Sequence, residues 1–165
     1  MNKLEIISLK ILDLESLKRA CVIWNFNNKK IVFTNGCFDI LHLGHIEYLA
    51  KAANLGDVLI IGMNSDRSVN RIKGNTRPIN DEHSRSMILA SLKFVTAVVI
   101  FDEETPYELI KTIQPDILIK GRDWKVEEIV GADIVLAKGG KVETIELTPG
   151  YSTTLIEQKI LKLHQ

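Results

Sequence analysis

Apolar positions along the chain follow two alternating rhythms. Unbroken apolar runs at Ile31 to Phe33, Val58 to Met63, Ala97 to Phe101 and Ile117 to Ile119 predict buried strands. Between the strands, apolar residues recur three or four positions apart. Leu14, Leu17, Cys21 and Trp24 predict a leading helix, with Asp13 and Glu15 near its start, where the helix dipole favours acids. Ile46, Leu49, Ala50 and Ala53 place a second helix over Gly44 to Leu55, stopped by Gly56. Met87, Leu89, Leu92 and Phe94 place a third over Asp81 to Phe94, and Pro106 opens a fourth that runs to Ile113.

The C-terminal third continues in the same way. Glu127 to Lys138 reads as a helix ended by Gly139 and Gly140, and Val142 to Leu147 alternates enough to be an edge strand. Thr154 to Leu163 closes the chain as a helix, with Thr154 and Glu157 at capping-box spacing. One stretch fits neither rhythm. Val69 to Asn80 contains IKGNTRPIN, polar and broken by Gly and Pro, and reads as a mobile loop.

Strands alternating with helices predict an α/β fold, doubly wound, with a mainly parallel five-stranded sheet and helices on both faces. One domain over 1–165 is expected, with 1–29 a leading helix and turn and 30–165 the core. Ligands of such sheets gather beyond the carboxyl ends of the strands. That directs attention to Thr34 to Asp39, Asn64 to Asp66, Asp102 to Glu104 and Lys120 to Trp124.

Composition narrows the partners. Lys plus Arg and Asp plus Glu both number 21, so no overall field draws in nucleic acid or an anionic membrane. An anion site has to be built locally. Cys21 and Cys37 are too few for a disulfide framework, and no signal sequence precedes the domain, so a reducing cytoplasm is the expected location. No apolar run approaches the roughly 20 residues of a membrane span.

The segment TNGCFDILHLGH, Thr34 to His45, holds the candidate chemistry. His42 and His45 sit where a loop enters a helix, on one face, beside amides that have no intrahelical partner. Gly44 has no side chain, so a nucleotide can approach the backbone. This arrangement suits a polyphosphate, with imidazole hydrogen bonds stabilising charge that builds during transfer. An isolated H-x-x-H pair also occurs without any ligand, and zinc on Cys37, His42 and His45 is a further reading that lacks a fourth ligand. No Walker A or G-x-G-x-x-G string occurs, which disfavours P-loop kinases and dinucleotide-dependent oxidoreductases.

TNGCFDILHLGH resembles the signature of the cytidylyltransferase-like nucleotidyltransferases, whose motif is also related to that of class I aminoacyl-tRNA synthetases. NSDRSVNRIKGNTRPIN, KGRDW and GYSTT follow in the order and spacing seen in the adenylyltransferases of ADP-heptose synthesis. The resemblance implies a Rossmann-like fold and transfer of AMP from ATP to a sugar 1-phosphate, with magnesium accompanying the triphosphate. It implies that His42, His45, Lys73 and Thr153 are catalytic. Thr34, Asn35, Gly36, Phe38, Asp39, Gly44, Lys120, Gly121, Asp123, Trp124, Ser152 and Thr154 would complete the nucleotide site, with Asp39 helping to position the metal. Asn64, Asp66, Lys73, Arg77 and Arg122 would meet the acceptor.

Each residue also has a plainer role open to it. Lys73 and Arg77 also suit a solvated pair, Trp124 packing, Ser152 to Thr154 a helix cap, and Asp39 a loop-forming side chain. Arg85 pairs, on spacing, with Glu82. Arg122 stands where the heptose pattern usually has glycine, adding a charged planar fork beside the nucleoside site. Rival readings are a glycerol-3-phosphate cytidylyltransferase and a catalytically silent nucleotide-binding module. Bifunctional members of the resembled group carry a sugar kinase in the same chain; here a separate kinase is expected to supply the sugar phosphate. A homodimer is the favoured assembly.

Overall fold

The computed structural model describes residues 1–121 and 128–163. Six parallel strands form one sheet: β1 (Ile11–Leu12), β2 (Ile31–Gly36), β3 (Val58–Asn64), β4 (Ala97–Phe101), β5 (Ile117–Gly121) and β6 (Lys141–Ile145). Their spatial order is β1-β4-β3-β2-β5-β6. The helices are α1 (Lys3–Ser8), α2 (Leu14–Phe26), α3 (Leu43–Ala53), α4 (Asp66–Lys73), α5 (Glu82–Ser91), α6 (Tyr107–Ile113), α7 (Ala132–Ala137) and α8 (Thr153–Lys162).

The two-residue period of the strands sends alternate side chains into two cores. Ile31 and Phe33 of β2 pack with Leu17 and Cys21 of α2, Leu109, Ile110 and Ile113 of α6, and Val135 of α7. Val32, between them, points to the other face, with Tyr48, Leu49 and Ala52 of α3 and Leu89 and Ala90 of α5. Both faces are covered, which explains why β3 is buried at all seven positions.

Several elements differ from the sequence expectation. The sheet has a sixth strand, β1, whose two residues are too short to carry a period; Ile11 and Leu12 pair with Val98 and Val99. A short helix, α1, precedes it. Residues 69–73, expected to open the loop, are helical and belong to α4: Ser65 caps it by accepting from the Ser68 amide at 3.0 Å, and Gly74, at φ +95°, ends it. Only Ser68 and Val69 of α4 are buried, so it shows almost no apolar stripe. The cap of α8 is Ser152, whose hydroxyl accepts from the Leu155 amide at 3.1 Å, instead of Thr154. The helix expected from Glu127 is described as α7, six residues ending before Gly139.

The chain runs β2, β3, β4 outward in one direction and then crosses to β5 and β6 on the other side of β2. The reversal leaves a crevice at the carboxyl ends of β2 and β5, where neighbouring connections diverge. β2 and β5 are paired through Val32–Ile117, Phe33–Leu118 and Thr34–Ile119, so Asn35 to Asp39 and Lys120 emerge side by side.

Candidate active site

A cleft of about 500 Å³ occupies that crevice. Asn35 and Gly36 line it from β2, Cys37, Phe38 and Asp39 from the loop that follows, His45 and Tyr48 from α3, Lys73 from α4, Lys120 and Gly121 from β5, and Leu147 and Thr153 from the C-terminal segment. A second cavity, of about 340 Å³, lies by the end of β4 and is rimmed by Asp102, Glu103 and Glu108. Its acidic rim disfavours a phosphate ligand, whereas the β2/β5 cleft carries two lysines.

The histidines are held by local geometry. His42 is the N-cap of α3, and its Nδ1 accepts from the His45 amide at 3.4 Å. The two rings stack with centroids 3.8 Å apart, and Phe38 meets His45 edge-on at 5.3 Å. Burial, then the neighbouring His42 and Lys73, push the His45 pKa down to about 4, against a hydrogen bond to the Ile40 backbone that raises it. Burial lowers His42 as well. His45 is therefore neutral at pH 7, a hydrogen-bonding group rather than a proton reservoir. Its Nδ1 is buried without a hydrogen-bond partner among the described residues, as is Asn35 Oδ1. Polar atoms left unpaired in a cleft are costly, and a bound ligand would satisfy them.

Gly44 serves packing. A Cβ there would lie 3.2 Å from the His42 ring and 3.3 Å from Tyr151 Cβ, so the missing side chain lets the His42 ring and Tyr151 pack closely. Thr34 is fully buried, with its hydroxyl 2.7 Å from the Tyr48 hydroxyl. It supports the cleft from beneath and does not line it.

Asp39 was expected to position magnesium, and its surroundings do not fit that role. Its side chain is 1% exposed, Oδ2 accepts from Arg77 at 2.7 Å, and Oδ1 accepts from the amides of Ile79 and Asn80 at 2.8 and 2.9 Å. Burial alone would raise its pKa, but the hydrogen bonds from Asn80, Arg77 and Ile79 outweigh it and the net shift is downward. Among the described residues, no three His, Cys, Asp or Glu side chains are grouped to hold a metal, zinc included.

The proposed acceptor residues are also largely engaged. Arg77 is paired with both Asp39 and Glu157, joining the 74–80 segment to α8. Asn64 is buried and donates to the Ser68 hydroxyl at 3.0 Å. Asp66 accepts from Arg85 at 2.7 Å, and its amide donates to Glu82 at 2.9 Å. Lys73 does reach the cleft, as does Thr153; Ser152 caps α8, and Thr154 is exposed and does not line the cleft. Arg122, Asp123 and Trp124 lie outside the described residues. Tyr48, which the spacing did not single out, and Leu147, expected at the end of the last strand, also line the cleft.

A cytidylyltransferase-like family model matches residues 33–159, from the middle of β2 into α8, and so spans the whole cleft. The chain belongs to the cytidylyltransferase-like family. Membership makes it a nucleotidyltransferase enzyme. Within the family's known proteins, the chain is similar to the bifunctional protein HldE of Campylobacter jejuni, 55% identical over 160 residues, which cover 94% of this chain and 34% of that protein. HldE of Citrifermentans bemidjiense is 50% identical over 152 residues, covering 92% and 31%. The chain thus spans about a third of the length of the curated relatives it matches. A solved lipopolysaccharide core biosynthesis protein from Thermoplasma volcanium is 32% identical at a TM-score of 0.58, over 73% of this chain and 97% of that one. A pantoate-beta-alanine ligase from Francisella tularensis, 21% identical at a TM-score of 0.58 over 94% and 79%, shares the fold alone.

Proposed function

We propose that this enzyme transfers AMP from ATP to a sugar 1-phosphate, D-glycero-beta-D-manno-heptose 1-phosphate, giving ADP-heptose and pyrophosphate. The observation that carries the reading is the cleft at the β2/β5 reversal. There a neutral His45, stacked on His42, converges with Lys73, Lys120 and Thr153 in a chain whose relatives named HldE are 50 to 60% identical. The ordered motifs NSDRSVNRIKGNTRPIN, KGRDW and GYSTT support the same acceptor.

In this reading the acceptor's phosphate oxygen attacks the α-phosphorus of ATP in line. A new P–O bond forms, the bond from the α-phosphorus to the bridging oxygen breaks, and its electron pair leaves with pyrophosphate. The acceptor is already anionic at neutral pH, so no base is required. Positioning and charge stabilisation supply the rate. His45, held neutral, donates to a phosphate oxygen without surrendering a proton, and Lys73 and Lys120 offset the charge of the phosphates. Magnesium belongs to this reading as the counter-ion that would accompany the triphosphate and neutralise its charge; Asp39, engaged by Arg77, Ile79 and Asn80, is not placed to hold it.

A kinase, on another chain or in a further domain, would supply the acceptor's phosphate. The described helices include none long and apolar enough to cross a membrane, and both substrates are water-soluble, which supports a cytoplasmic location. A homodimer remains the proposed assembly. Pyrophosphate release across ATP, CTP and GTP, with heptose 1-phosphate against glycerol 3-phosphate, tests the reading. ATP with heptose 1-phosphate is expected to give the highest kcat/KM; preference for CTP with glycerol 3-phosphate would overturn it.

A further inference from the structure

We propose that Arg85 is the positioning residue of this cleft, setting its loops without touching substrate. Arg85 lies on α5, is 1% exposed, and is the largest of the fully buried side chains. Its guanidinium gathers four acceptors from three segments of the chain. Nε donates to the Asn80 carbonyl at 3.0 Å; Nη1 donates to the carbonyls of Cys37 at 2.6 Å and Asn64 at 2.9 Å; Nη2 donates to Asp66 Oδ1 at 2.7 Å. Sequence spacing pairs Arg85 with Glu82; the carboxylate it binds is that of Asp66.

These acceptors are where the cleft needs definition. The carbonyls of Cys37 and Asn64 lie at the ends of β2 and β3, where the ladder stops supplying partners. Fixing the Cys37 carbonyl fixes the peptide leading into Phe38, which sits at φ +48°, a conformation bulky residues rarely adopt. That residue's ring meets His45 edge-on. The next residue, Asp39, holds the amides of Ile79 and Asn80, while Arg85 holds the Asn80 carbonyl. The 74–80 segment, which follows directly on Lys73, is thereby clamped from both sides. A lysine at 85 keeps the charge, but its point-like ammonium cannot reproduce a planar fork reaching four acceptors.

The catalytic readout rests on the adenylyl-transfer reading, so the experiment includes one that does not. Arg85→Lys and Arg85→Ala are compared with wild type at 20 °C by kcat and KM, on whichever nucleotide and acceptor the wild type turns over. Amide hydrogen exchange at Ile79 and Asn80 is measured alongside. Arg85→Lys is expected to lower kcat about 100-fold, as a misplacement of about 1 Å does, with nucleotide KM little changed. Its Ile79 and Asn80 amides should exchange faster while those of Leu59 and Ile60 stay protected, and methylguanidinium should restore part of the Arg85→Ala turnover. Wild-type kcat in Arg85→Lys would overturn the proposal, as would exchange raised evenly across the sheet or failure of both variants to fold. If the wild type turns over no ATP and sugar phosphate pair, the adenylyl-transfer reading fails, and the exchange at Ile79 and Asn80 still decides the role of Arg85.

Discussion

At the scale of single residues, His45 links packing to chemistry. Burial beside a second imidazole and Lys73 keeps it neutral, and a neutral ring can donate one hydrogen bond to a phosphate without competing for its proton. His45→Ala should retain the fold and lose about 10²- to 10³-fold in kcat, the usual cost of one preorganised donor; steady-state kinetics with a circular-dichroism control measures it. The same depressed pKa has a stability consequence. Between pH 6.5 and about 4 the unfolded chain binds a proton at this position that the folded chain does not. The contribution is therefore complete above pH 6.5 and is lost as pH falls toward 4. Urea unfolding at pH 7 and pH 5 should show lower stability at pH 5, and His45→Gln should shrink the difference. An unchanged difference would remove His45 from that account.

At the scale of elements, Asp39, Arg77 and Glu157 connect the β2 loop, the 74–80 segment and α8. The two links differ in burial: the Asp39 side chain is 1% exposed and that of Glu157 30%. Asp39→Asn breaks the buried pair and should cost about 3 kcal/mol, whereas Glu157→Gln should cost under about 1 kcal/mol. Denaturant midpoints measure both, and equal costs would contradict the ranking. The chain itself made some of this legible and hid the rest. Runs such as Val58 to Met63 and Ala97 to Phe101 are buried on both faces and appear as unbroken apolar strings, so β3 and β4 could be read directly. The position of His42 and His45 where a loop enters a helix was legible from the change of pattern at Gly44, while the capping of α3 by the His42 side chain was not. α4 was not, since its stability comes from a Ser65 cap and from Asp102 contacts to Ser65, Arg67 and Arg71, not from an apolar stripe. Nor were most partners of Arg85 and Asp39: apart from Asn80, five residues before Arg85, they lie 19 to 48 residues away along the chain. Local spacing offers Arg85 only the nearer Glu82.

At the scale of the whole molecule, a chain with equal numbers of acidic and basic residues concentrates cationic character where its topology reverses. Lys73 and Lys120 reach the cleft, and the one carboxylate among its described lining residues, Asp39, is paired with Arg77. Such an arrangement suits an anionic ligand held by local fields. It also favours chemistry at a phosphorus atom held between fixed donors. The central claim concerns which phosphorus is transferred. Incubating the enzyme and heptose 1-phosphate with ATP labelled at the α-phosphorus, and separately at the γ-phosphorus, decides it directly. The account predicts α-label in a nucleotide sugar and γ-label in pyrophosphate. Label from the γ-position on the sugar, or no α-label transferred, would contradict it.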